Sequence, residues 1–112
     1  MGEAFEPEAA IARLGGDLEL YRELVRSFLD DSAGIVPRLE AGIACADAEA
    51  VHKAAHNLKG TAATCGALGV ATAATELERS GLNRDLSQVP EQFSRLKREL
   101  ADARRELMPY YD

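Results

Sequence analysis

Between Asp47 and Gly66 apolar and polar positions alternate with a helical period. At about 100° per residue, Val51, Ala55, Leu58, Ala62 and Cys65 fall on one narrow apolar stripe. His52, His56, Lys59, Gly60 and Ala63 gather on another side. The spacing predicts a helix with a core face and a second face built around an imidazole. Asp47 suits the N-cap, where its carboxylate can accept from a free first-turn N–H. Gly66 suits the position just past the C-terminus, where a left-handed backbone ends a helix.

The rest of the chain reads in the same way. Pro7 fits a first helical turn, so Glu8 to Leu14 should form a short helix ended by Gly15-Gly16. Phe5, Ile11 and Leu14 could then lid one end of a bundle. Asp17 caps a long second helix, whose stripe is Tyr21, Val25, Phe28, Ser32, Ile35, Leu39 and Ile43. Pro37 lies inside it, removes one backbone hydrogen bond and predicts a bend near Ala33-Gly34. One kinked helix is the simpler reading, and a break into two is the alternative. Cys45-Ala46-Asp47 makes a tight turn into the His56 helix.

A fourth helix is expected from about Gly69 to Ser80, with Val70, Ala74, Leu77 and Gly81 inward. Its many small residues would let a neighbour approach closely. After a polar loop from Gly81 to Val89, Ser87 caps a last helix with Pro90 in its first turn. That helix has the stripe Phe93, Leu96, Leu100, Ala103 and Leu107, and Arg104 and Arg105 complement its negative end. Residues 1–6 and 108–112 read as loose ends of one domain spanning 1–112. Four amphipathic helices joined by short loops pack most simply as an antiparallel up-and-down bundle. The expected fold is therefore all-α, a four-helix bundle with a short additional N-terminal helix.

Composition narrows the class. The 112 residues suffice for one domain with one core, and a 46% hydrophobic share excludes a disordered tail. No apolar run approaches the roughly 18 residues of a membrane span, and no secretory signal is visible. Cys45 and Cys65 form no C-x-x-C motif, which fits free, buried thiols in a cytoplasmic protein. The net charge of −6 argues against nucleic acid or an anionic membrane as partner.

Gly60 is the position that suggests chemistry. A mid-helix glycine costs about 0.5–1 kcal/mol relative to alanine. Helical Cα–Cβ bonds lean toward the N-terminus, so a side chain at position 60 would lie over His56. Glycine leaves the imidazole open to something large, such as another protein's active site. Lys59, three residues from His56, is a surface neighbour whose cation suits an anion forming at the ring. A neutral imidazole is a competent nucleophile near neutral pH. Together these residues describe a histidine able to accept a phosphoryl group.

The run Ala55-His56-Asn57-Leu58-Lys59-Gly60, followed by Gly66 and then by Leu77-Glu78 at the end of an apolar helix, resembles the motif of histidine-containing phosphotransfer (HPt) domains of two-component phosphorelays. The likeness extends from about Leu14 to Leu107. It implies a helical bundle, with His56 as phospho-acceptor, Lys59 assisting the phosphoryl group and Gly60 giving the partner access. It also implies a carrier without kinase activity of its own. That carrier takes a phosphoryl group from the aspartate of a receiver domain, or from a kinase, and passes it to another receiver. The partners would be response-regulator receivers or a hybrid sensor histidine kinase. The Mg²⁺ would sit on the receiver, with no cofactor on this domain, which is expected to act as a monomer.

Two other classes stay open. The phosphotransfer domain of a chemotaxis-type kinase looks similar around the histidine, but usually has a second histidine three residues before the glutamate matching Glu78; here that residue is Thr75. A helical adaptor that binds a partner without phosphorylation is the other. Glu49, His52 and His56 lie at spacings that could share a metal, yet no further ligand signature accompanies them. His52 otherwise reads as a surface residue at the rim of the docking area. Cys65 reads as core. Asp30, Asp31 and Glu40 are candidate docking acids, with solvated charge as the plainer reading.

Overall fold

The structure is a computed structural model that describes residues 5–111. The helices follow in the order α1 (Pro7–Arg13), α2 (Leu18–Ala44), α3 (Ala48–Thr64), α4 (Leu68–Leu82) and α5 (Val89–Tyr111). The four long helices pack neighbour to neighbour and α5 closes against α2, giving the expected all-α bundle.

Local chemistry explains most boundaries. The carboxylates of Asp17 and Asp47 accept from the N–H groups of Leu20 and Ala50 at the starts of α2 and α3. Gly66 ends α3 at φ +76, and a Cβ there would lie 2.6 Å from the Glu6 carbonyl oxygen. The chain crosses itself at this point: Glu6 N–H donates to the Gly66 carbonyl at 2.9 Å, and Phe5 forms a backbone bridge with Ala67. Phe5, Ile11 and Leu14 pack half-buried on the core, so α1 covers that end of the bundle. The residue 5–6 part of the expected loose N-terminus is therefore held; residues 1–4 and 112 lie outside the described ones.

The core stripes match those of the sequence. Tyr21, Val25, Phe28, Ser32, Ile35 and Leu39 of α2 are buried, as are Val51, Ala55, Leu58, Ala62 and Cys65 along α3, while Ile43 at the end of the α2 stripe is only partly buried and Cys45, in the turn that follows, is exposed rather than buried. The α2 helix is unbroken at Pro37. The carbonyl that the missing N–H would have met belongs to exposed Ala33, where water can serve it.

Three boundaries differ from expectation. Gly81 lies within α4, as its place on the inner stripe implied, rather than opening the loop, and there the α4 backbone comes very close to that of α3. Ser87 does not cap α5: its hydroxyl donates to Asp85 at 2.7 Å, and the Asp85 carboxylate also accepts its N–H. The last helix continues through Pro109 to Tyr111 instead of ending in a tail. Long-range contacts hold that extra turn. The Tyr110 ring meets Tyr21 edge-on at 5.1 Å, the Tyr111 hydroxyl donates to Asp30, and Arg26 donates to the Tyr111 carbonyl.

Candidate functional site

The α3 helix carries His56 and Lys59 on its outer side, and α4 lies alongside. The two backbones come very close at Gly81, where a Cβ would stand 2.7 Å from both the Ala48 carbonyl oxygen and the His52 nitrogen. Alanines 73 and 74 and Leu77 are fully buried in the same helix. This close packing brings Glu78, three residues before Gly81, level with His56 and Lys59.

The Glu78 carboxylate joins the two. Its Oε2 is 2.7 Å from His56 Nδ1, and its Oε1 accepts from Lys59 Nζ at 2.7 Å. The Lys59 ammonium holds the Glu78 carboxyl below the ordinary carboxylate range; partial burial opposes this and the His56 hydrogen bond adds to it. An ionised carboxylate only accepts, so the shared proton belongs to Nδ1 of His56. In the neutral ring Nε2 then carries the lone pair. The imidazole is 61% exposed while Glu78 is only 15% exposed. The carboxylate is thus a mostly covered anchor, and the ring it orients stands in solvent.

Gly60 completes the arrangement by what it lacks: a Cβ there would meet nothing within 4 Å. The three residues singled out in sequence are therefore brought together on one open face. His52 sits one turn earlier, its ring 6.3 Å from that of His56. Glu49 pairs with Lys53 at 3.3 Å instead of turning to the histidines. Asp30 and Asp31 line a groove of about 560 Å³ with Gly34, Ile35 and Arg38 of α2 and with Asn57 and Thr61 of α3, so it adjoins His56. Glu40 is exposed on α2 and does not line it.

Glu78 is the site residue that sequence reasoning left without a role, noting it only as the end of a motif. A signal was present. The only acids of α4 are Glu76 and Glu78, flanking the buried Leu77, so each must turn toward a different neighbour. Glu76 goes to Arg95 of α5 at 3.0 Å, and Glu78 goes to α3.

Residues 23–106 match the family model of the Hpt domain. Over 69 residues the chain is 38% identical to the sensory/regulatory protein RpfC of two strains of Xanthomonas campestris pv. campestris; the match covers 62% of this chain and 10% of the relative. The chain thus spans about a tenth of the length of those curated relatives. The crystal structure of histidine-containing phosphotransfer protein B (HptB) from Pseudomonas aeruginosa PAO1 superposes with a TM-score of 0.89 over 99% of this chain and 96% of that one, at 24% identity, and so shares the fold. On the strength of the family match over most of its length, the chain belongs to the Hpt domain family.

Proposed function

We propose that this domain is the phosphohistidine carrier of a phosphorelay and that His56 is its acceptor. Hpt domains work with receiver domains and histidine kinases in two-component relays. The observation that carries the assignment is the 2.7 Å contact between His56 Nδ1 and Glu78. It keeps the proton on Nδ1 and leaves the Nε2 lone pair for an incoming phosphorus. As the Nε2–phosphorus bond forms, the bond from phosphorus to the receiver's aspartate oxygen breaks, and the aspartate leaves as a carboxylate. No proton need move. Nδ1 keeps its hydrogen, the ring becomes cationic, and Glu78 faces that charge. Transfer to the next receiver is the same step reversed.

Lys59 has three N–H donors and spends one on Glu78, so the others can meet phosphoryl oxygens. The open space at Gly60 admits the receiver, and the groove beside Asn57 offers it a polar surface. The receiver brings the Mg²⁺; this domain needs no cofactor, acts as a cytoplasmic monomer and has no kinase activity. Receivers of response regulators or of a hybrid sensor kinase are the partners. The chemotaxis-type alternative gains no support at Thr75, whose hydroxyl donates to the Ala71 carbonyl of its own helix at 2.8 Å.

The test is incubation with phosphorylated receivers. The wild type should take an acid-labile, alkali-stable label, and His56→Gln should fold equally well and take none. Full labelling of the variant would move the acceptor elsewhere. A folded wild type that no receiver labels would favour the adaptor reading.

A further inference from the structure

His52 is the one histidine that this mechanism leaves without work, and its surroundings are unusual for a surface residue. Close packing at Gly81 lays α4 against the His52 backbone. The Nδ1 atom of His52 is buried and has no hydrogen-bond partner, whereas Nε2 is not so buried. A buried nitrogen with nothing to donate to is less costly without its proton than with it. The neutral ring therefore carries its hydrogen on Nε2, a tautomer assigned from this burial. The nearest acid along the helix, Glu49, is held by Lys53. His52 thus holds out a donor for which no acceptor among the described residues is provided.

That donor is carried on the ring next to the acceptor site. His52 and His56 are one turn apart on the same side of α3, and side chains on a helix lean toward its N-terminus, which tips the His56 ring toward His52. The rings lie 6.3 Å apart at a tilt of 34°. A phosphorus–nitrogen bond, a phosphorus–oxygen bond and a hydrogen bond of about 2.9 Å, added to the two ring radii, exceed that centroid separation, so a phosphoryl group on His56 is within reach of the His52 ring. We infer that His52 is a second ligand of the phosphoryl group on His56, donating from Nε2 to a phosphoryl oxygen. The inference rests on His56 being the acceptor. Lys59 on one side and His52 on the other then grip the phosphoryl group along the helix axis, while the Gly60 side stays open for the receiver. His52 is accordingly a positioning residue for the carried group: it makes the phosphohistidine a better resting state without touching the nucleophilic nitrogen.

The experiment uses the intact domain, loaded with phosphoramidate and then equilibrated with a receiver that labels the wild type. Phosphorus NMR shows whether His56 is phosphorylated at all, and nitrogen NMR of the histidine rings follows His52. On loading, the His52 Nε2–H signal should shift and become protected from exchange. In the equilibrium with the receiver, His52→Leu should lower the share held by this domain by roughly three- to tenfold, the scale of one half-exposed hydrogen bond to a charged oxygen. His52→Gln, whose amide N–H falls near the position of Nε2, should stay within about twofold of wild type. A filler side chain would not produce this rescue. An unmoved His52 signal in a phosphorylated wild type overturns the inference, even if the leucine variant does not fold. Equal partition in all three proteins overturns it too. A wild type that gives no phosphohistidine signal overturns the acceptor assignment itself, and the inference with it.

Discussion

Two helical glycines flank the site, and the structure gives their replacement by alanine opposite signs. At Gly60 a Cβ meets nothing within 4 Å, so Gly60→Ala gains helix propensity and loses no contact. The gain is about 0.5–1 kcal/mol, which should raise the melting temperature by roughly 2–6 °C in a domain of this size. At Gly81 a Cβ would stand 2.7 Å from the Ala48 carbonyl oxygen and the His52 nitrogen, and 3.0 Å from the His52 Cα. Ordinary contact begins at 3.4 Å, so α4 must retreat by about 0.7 Å, and these are backbone atoms that no rotamer change can move aside. Overpacking of this kind costs about 1–3 kcal/mol and outweighs the propensity gain. Gly81→Ala should therefore melt several degrees below wild type. Glu78 rides on the same helix one turn away. The same retreat would stretch its 2.7 Å bonds to His56 and Lys59 beyond the range of a good hydrogen bond, so phosphotransfer should slow as well. Circular-dichroism melts of the two variants, read beside transfer rates from a phosphorylated receiver, test the pair. Gly81→Ala melting at or above wild type would refute the close approach of α3 and α4, and a destabilised Gly60→Ala would refute the open face.

Gly60→Leu should keep its helical content but lose much of its transfer rate, because the longer side chain reaches over the imidazole; an unchanged rate would end the access argument. Lys59→Ala should slow transfer and shift the melting temperature little, since an exposed ion pair contributes about 0–1 kcal/mol; rates equal to wild type would make Lys59 a solvated cation only. Glu78 has its carboxyl lowered from the ordinary value of 4.5, so its contribution is present above that value and is lost as pH falls through the lowered one. Melting temperatures of wild type and Glu78→Gln should accordingly converge in acid and separate near neutrality; parallel curves would contradict the sign. Tyr21→Phe removes a buried hydroxyl that donates to the Cys65 carbonyl at 2.6 Å, and should cost about 1–3 kcal/mol in urea unfolding with no effect on transfer.

What could be read from the sequence was local. The caps Asp17 and Asp47, the stop at Gly66 and the stripes of α2 and α3 each follow from a few neighbouring residues. His56, Lys59 and Gly60 shared a face by helical spacing alone. Where the reading failed, a partner distant in sequence decided. Pro109 is a helix stop by local rules, but Tyr110 on Tyr21 and Tyr111 on Asp30 reward another turn. Ser87 is a good cap in isolation, yet Asp85 two residues earlier competes for its hydroxyl. Gly81 falls on the inner stripe of α4 by spacing, but its contact with the α3 backbone is set only when the two helices pack.

The same division runs through the site. On the proposed mechanism the helical motif supplies a nucleophile, a cation and an opening, all from one stretch of α3. It does not determine which ring nitrogen carries the proton, and that choice decides whether Nε2 can attack. The deciding group is a carboxylate on α4, and its reach is set by small residues and Gly81 that let α4 settle onto α3. Leu77 fixes the rotation: with its side chain fully buried, the acids on either side of it must diverge, Glu76 to Arg95 and Glu78 to His56 and Lys59. The orientation of the His56 ring, on which the proposed chemistry depends, is thus a consequence of how two helices pack. A substitution in the core stripe of α4, touching neither His56 nor Lys59, should be able to silence the site while the motif remains intact.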